Sequence, residues 1–233
     1  MARAPKRARP AGFYDASVGK KITMALTGAV LVLFVIGHFA GNLKVYLGPE
    51  EFNHYAEGLR SLGAPIFPHG SLLWIVRIVL LACVLTHILS AAQLWLQSKR
   101  ARPIGYQKTE SLAIAYASRT MVWGGLTILA FVVFHILNLT TGTIHPGAEF
   151  VPGDAYHNFV TGFQVVPVSI AYILAMIPLG FHLYHGIWSA FQTMGAADVR
   201  YRDWRRPAAL VIALVVVLGN MSFPVAVLAG IVR

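Results

Sequence analysis

Five long apolar runs, separated by short basic or Gly/Pro-rich segments, constrain this chain more than anything else in it. They fall at about residues 22–46, 72–96, 121–141, 165–193 and 207–232. Each reaches or exceeds the roughly 20 residues that a helix needs to cross hydrocarbon. A backbone in lipid has to satisfy its own hydrogen bonds, so runs of this length read as membrane helices. Hydrophobic residues make up 57% of the chain and charged residues 12%, the latter about half the roughly 25% of soluble domains. The expected fold is an all-α membrane protein, residues 1–233 forming a single transmembrane domain of five helices.

The formal charge of +10 does not point to nucleic acid, because the basic residues sit between the apolar runs. Five spans put the N-terminus and the 97–120 and 194–206 segments on one side. That side holds 15 of the 19 lysines and arginines, leaving Lys44, Arg60, Arg77 and Arg233 for the other. The excess of positive charge on cytoplasmic segments then places the N-terminus in the cytoplasm and the C-terminus outside. Residues 1–21 are basic and broken by Pro5 and Pro10. The apolar run that begins at Ile22 is too long for a signal peptide, so it is expected to stay as the first span. The single cysteine, Cys83, excludes an internal disulfide, a cysteine-held iron–sulfur cluster and covalent c-type haem attachment.

Histidine carries the functional signal. His38, His87 and His135 each lie within one of the first three runs, and His182 and His185 lie in the fourth. An ionisable side chain inside a membrane helix is costly unless it is satisfied, and it marks function by default. His38 stands about 17 residues past Lys21, and His135 about 16 past Arg119, so both sit roughly 25 Å from the inner edge at 1.5 Å per residue. His87 precedes Lys99 by about 12 residues, roughly 18 Å from that edge, and His182 and His185 also fall in the inner half. Spans one and three thus offer an outer pair, spans two and four an inner pair.

A pair of imidazoles is what a six-coordinate haem iron accepts, and a four-helix bundle is a natural container for cofactors stacked between facing helices. The first four helices are therefore expected to form a haem-binding bundle with two haem b groups, the fifth serving for packing. The rival use of such histidines is a hydrogen-bonded contact between helices in a haem-free scaffold or transporter. His182 and His185 share one helical face at i and i+3, and spacing does not choose the ligand between them. Arg77 is read as snorkelling to the outer interface or pairing with a haem propionate or quinone oxygen, and Arg119 as a topogenic charge or a cofactor contact. Gly28, Gly37, Gly124, Gly125, Gly180 and Gly186 make room for a porphyrin or for close helix packing. His54, His69, His145 and His157 are expected as solvated loop residues, with quinone proton delivery the minority role. The 47–71 connection reads as a turn and a short amphipathic surface helix, and 142–164 as a Gly/Pro-rich loop.

The stretches Gly37-His38-Phe39-Ala40-Gly41-Asn42-Leu43, Phe52-Asn53-His54-Tyr55-Ala56 and Phe181-His182-Leu183-Tyr184-His185-Gly186-Ile187-Trp188-Ser189 carry a resemblance. The chain resembles the cytochrome b membrane-anchor subunit of succinate dehydrogenases and fumarate reductases, in the single-polypeptide, five-helix, di-haem class. The resemblance spans nearly the whole chain. It implies His87 and His182 as axial ligands of the haem nearer the cytoplasm and His38 and His135 as those of the distal haem, with His185 a neighbour. It further implies a flavoprotein subunit with FAD and an iron–sulfur subunit on the cytoplasmic face. Electrons would pass to a quinone, expected to be menaquinone, in a prokaryotic cytoplasmic membrane, and the resemblance is compatible with a higher oligomer of the complex. Some relatives carry an acid near the distal quinone site, toward the end of the first outer loop; the matching position here is Arg60, with Glu57 just before it. A di-haem anchor of a hydrogenase or formate dehydrogenase is the alternative within the same electron-transfer class.

Overall fold

The computed structural model describes residues 12–101, 112–195 and 199–233, apart from the side chains of residues 15, 112–120 and 199–202. It contains no strand among the described residues. After a single turn at Phe13–Asp15 come helix α1 (Ser17–Asn42), which tightens into a 3-10 turn over Leu43–Leu47, and α2 (Pro49–Ser61). Then follow α3 (Ser71–Arg100), α4 (Leu112–His135), α5 (Ala155–Gln164), α6 (Val166–Thr193) and α7 (Val199–Leu228). Five of them, α1, α3, α4, α6 and α7, are long and apolar enough to cross a bilayer. The chain is an all-helical, multi-pass membrane protein. The helices begin or end beyond the expected spans, α1 at Ser17 and α3 at Arg100, because helix geometry continues through polar residues at the interface.

α1 packs against α3 and α6, α6 against α4, and α7 lies on α6 and α1. Within the bilayer, association depends on close approach rather than on withdrawal from water, which favours small residues. The α6–α7 seam follows this rule: Ala209, Ala213 and Val216 recur along one face of α7 and are buried against Leu183 and Ile187. A β-carbon on Gly180 would come within 3.0 Å of Val217, and one on Gly219 would overlap the ring of Phe39. The fifth span is thus a packing helix for the first and fourth. At the helix ends, cations lie over aromatic rings: Lys20 over Tyr14, Lys99 over Trp95 and Arg206 over Trp188 at the inner ends, Lys44 over Tyr55 and Arg77 over Trp74 at the outer ones. Such amphipathic pairs suit the two interfaces of a membrane.

The outer ends are closed by a cap that includes more helix than the sequence suggests. Gly48 takes φ 101° and releases the chain from α1 into α2, whose first turn carries Pro49, Glu50 and Glu51, suited to a helix N-terminus. The 142–164 segment, expected as a loop, contains α5, with Asn158, Phe159, Val160, Gly162 and Phe163 buried. Its prolines end at Pro152, and of the ten residues after Asp154 half are apolar, with only Gly162 among them to weaken a helix. Phe52 of α2 meets Tyr156 and Phe159 of α5, and Phe159 in turn meets Phe163 and Phe223. A β-carbon on Gly41 would overlap the Tyr55 hydroxyl, so α1 and α2 meet only because residue 41 lacks one.

Asp154 joins the cap. Its Oδ1 accepts from the His157 amide at 2.9 Å, the capping bond of α5, and from Asn53 Nδ2 at 2.9 Å, while Asn53 Oδ1 accepts from the Tyr156 amide. The His157 amide first, and Asn53 second, hold the Asp154 carboxyl below its ordinary range. A carboxyl lowered by folding contributes stability above its unfolded value of about 4 and loses it as pH falls through the folded value. Asp154→Ala should lower stability at neutral pH by about 1 kcal/mol, the usual loss for a helix cap. The deficit should shrink as both proteins are taken below pH 4, read by thermal unfolding in detergent. A deficit that does not change with pH would count against the capping role.

Candidate functional site

The outer ends of α1 and α4 bring two histidines together. The rings of His38 and His135 have centroids 5.8 Å apart and stand at 88° to each other. Phe34 stacks on His38, and Phe131 lies beside His135. His135 is the last residue of α4, where the chain widens into a π turn over Ile136–Thr140. Single π turns are frequent at functional sites. This one leaves Asn138 wholly inside the protein, at 0% exposure.

The hydrogen bonds around Asn138 settle which nitrogen of His135 carries the proton. The carbonyl oxygen of Ile144 can only accept, so the Asn138 amide donates to it from Nδ2 at 2.9 Å. Asn138 Oδ1 is then the acceptor for the Tyr172 hydroxyl at 3.1 Å. With its proton committed there, the Tyr172 oxygen accepts from Nδ1–H of His135 at 3.2 Å. The lone pair of His135 is therefore on Nε2. His145 extends the same brace, its Nδ1 lying 3.1 Å from the Asn138 carbonyl oxygen and its Nε2 3.1 Å from Thr161 Oγ1 of α5.

The inner pair follows the same pattern with a simpler anchor. His87 of α3 and His182 of α6 have ring centroids 6.2 Å apart, with planes at 57°. His87 Nδ1 lies 3.1 Å from the carbonyl oxygen of Met24 and 3.3 Å from the Thr27 hydroxyl of α1. An acceptor-only carbonyl again places the proton on Nδ1 and the lone pair on Nε2. Glycines sit against both rings: a β-carbon on Gly28 would come within 3.3 Å of His87 Cε1, and one on Gly125 within 3.9 Å of His182 Cε1. Pro178 interrupts the backbone ladder of α6 one turn before His182. His182 Nδ1 is buried with no hydrogen-bond partner among the described residues, a state that costs about 1–3 kcal/mol if nothing offsets it.

Neither pair lies along a main seam of the bundle: α1 packs chiefly on α3 and α6, and α6 on α7 and α4, whereas the ring pairs join α1 to α4 and α3 to α6. Both pairs thus reach across the bundle. Their axial separation can be read on two helices. Gly28 marks the level of His87 on α1, ten residues before His38, and Gly125 marks that of His182 on α4, ten residues before His135. Ten residues rise about 15 Å. Counting from flanking charges suggests only about half of that, because a long basic side chain marks the membrane edge no more closely than its own reach.

Of the two histidines on α6, His182 faces His87, while His185 packs edge-on to Trp188 with its own buried Nδ1 unpartnered among the described residues. Arg77 is exposed, its guanidinium 4.9 Å above the Trp74 ring, apart from either pair. Arg119 lies among the residues whose side chains are not described. Gly124 approaches Pro178, Gly180 approaches Val217, and Gly37 and Gly186 have nothing within 4 Å of an added β-carbon. His54 is exposed. His69 is exposed too and lies 2.8 Å from Glu57, which also pairs with Arg60 at 3.3 Å. His69 first and Arg60 second lower the Glu57 carboxyl below its ordinary range. His145 and His157 correct the loop expectation: they are half-buried, with His157 Nε2 against the Glu149 carbonyl. Sequence reasoning passed over Tyr172 and Asn138. Asn138 had a visible signal, a buried-type amide three residues after His135 in an otherwise apolar run.

Among the described residues no three or more His, Cys, Asp or Glu side chains converge as on a metal ion; the histidines meet in twos. No family model matches the chain, and no curated protein or solved structure matches it either. Long-range 15N–1H correlation of histidine-labelled protein should show His87 and His135 protonated on Nδ1. A proton on Nε2 of either ring would overturn the hydrogen-bond directions deduced above.

Proposed function

We propose that this chain is the membrane-anchor and electron-transfer subunit of a succinate:quinone oxidoreductase, holding two haem b groups in the bilayer of a prokaryotic cytoplasmic membrane. One observation carries the reading: two histidine pairs, each joining helices across the bundle rather than along one of its main seams, at two levels of one bundle. A metal–imidazole bond is about 2 Å long, so two rings on opposite sides of one ion stand with centroids about 6 Å apart, close to the 5.8 and 6.2 Å observed. Two protein ligands are too few for a bare structural ion, which takes about four. They suit an iron whose other four positions are filled by a porphyrin. The donor chemistry agrees, since ligating histidines as a rule donate the second ring N–H to a carbonyl or similar acceptor. His87 does so to Met24, and His135 to a polarised hydroxyl. Gly28 and Gly125 keep side chains away from the inner rings.

In this reading His87 and His182 hold the inner haem, and His38 and His135 the outer one. Haem b supplies one-electron carriage between ferric and ferrous iron. The chain's own part is to fix both levels, to set each ring's tautomer, and to exclude water with the apolar faces of five helices. The flavoprotein with FAD and the iron–sulfur subunit would dock on the cytoplasmic face, and a quinone, menaquinone by expectation, would exchange electrons within the membrane. The histidine geometry serves a di-haem anchor of another quinone-linked dehydrogenase as well; the succinate reading rests on the 37–43, 52–56 and 181–189 stretches.

An alkaline pyridine haemochrome spectrum of the purified chain should give two b haems. His38→Ala or His135→Ala should lose the outer haem alone, His87→Ala or His182→Ala the inner alone, and His185→Ala neither. Co-purification of an FAD-bearing subunit with succinate–quinone reductase activity separates the succinate enzyme from other dehydrogenases. A purified protein without Soret absorption would falsify the haem reading altogether.

A further inference from the structure

We infer that Tyr172 and Asn138 are positioning residues for the outer centre, and that their hydrogen-bond chain to His135 holds the outer haem at a lower reduction potential than an unassisted imidazole would. The inference rests on the haem reading and adds a specific control element to it. The chain begins at an atom that cannot change role, the Ile144 carbonyl, and runs through the Asn138 amide and the Tyr172 hydroxyl to Nδ1–H of His135. Every member is oriented the same way, and aligned bonds polarise one another where the dielectric is low. Asn138 is fully buried and Tyr172 is 7% exposed, so water does not compete for either. An imidazole whose N–H is held by an acceptor is the more basic ligand through its other nitrogen. Stronger donation favours ferric over ferrous iron and lowers the potential.

His38, the opposite ligand in this reading, makes no hydrogen bond through either nitrogen among the described residues and is steadied by stacking on Phe34. The adjustable donor at the outer level is therefore His135. The chain is also tied to the outer loop, through Ile144 and through His145, which bonds the Asn138 carbonyl. The Tyr172 ring sits edge-on to Phe131 and Phe163, at 5.0 and 4.7 Å. Phenylalanine at 172 keeps those contacts and removes only the hydroxyl.

The test uses the full chain with both haems bound and follows each haem by redox titration of its visible bands. Tyr172→Phe should raise the outer potential by about 59 mV, the shift that a tenfold fall in the preference for ferric iron produces in a one-electron couple. The inner potential should not move. Asn138→Leu should shift the outer potential in the same direction, and in the double variant it should add nothing to Tyr172→Phe, because Asn138 reaches His135 only through that hydroxyl. Selective loss of the outer haem from Tyr172→Phe also supports the assignment. An unmoved outer potential with both haems retained overturns it while leaving the haem reading intact, as do additive shifts in the double variant. A wild-type chain that binds no haem overturns both.

Discussion

An imidazole in hydrocarbon has two nitrogens to satisfy, and much of this structure follows from how the bundle deals with that requirement. At His87 and His135 one nitrogen is committed to a protein acceptor, leaving the other lone pair directed away from the bond that holds the ring. Among the described residues no third His, Cys, Asp or Glu side chain joins either pair. The result is two pairs of rings, each with at least one member whose tautomer is dictated by a backbone carbonyl, directly or through two side chains.

The helices are arranged around those pairs. α1 is the central member, touching α3, α6 and α7 and lending both the carbonyl that anchors His87 and the glycine beside its ring. α6 is the other hub, with α4 on one side and α7 on another. Regular helix is broken beside a site histidine twice, by Pro178 before His182 and by the π turn after His135. Each break frees the local backbone from strict i to i+4 order at the place where a polar side chain must be placed inside a membrane. The packing inside the bilayer relies on alanine and glycine, whereas the outer cap, where water provides a driving force for burial, relies on phenylalanine and tyrosine.

The cap does more than close the bundle. α2 and α5 meet through Asn53 and Asp154, and α5 supports the loop whose Ile144 carbonyl sets the direction of the chain leading to His135. The outer pair is thereby tied to extramembrane structure and the inner pair only to its neighbouring helix. Asymmetry of this kind lets two chemically identical histidine pairs behave differently, since the hydrogen-bond partners of an imidazole set its basicity.

Number and order of the five membrane helices were legible in the residues alone, because a bilayer imposes length and composition on any segment that crosses it. The matching of His38 with His135, and of His87 with either His182 or His185, also followed from counting along the helices. What tertiary structure decided was of another kind. That His182 and not His185 faces His87 depends on the rotation of α6, which packing against α7 sets and spacing at i and i+3 does not. That Asn138 and Tyr172, on different helices, govern one nitrogen of His135 depends on a π turn, whose single extra residue per turn leaves no periodic signature. The helix within 142–164 escaped because the glycines and prolines before Asp154, and Gly162 after it, read as loop, whereas burial against α2, α6 and α7 stabilises a helix that Asp154 caps. Local chemistry determines which segments enter the membrane; the angle at which each helix meets its neighbours, a property of no single segment, determines which atoms meet.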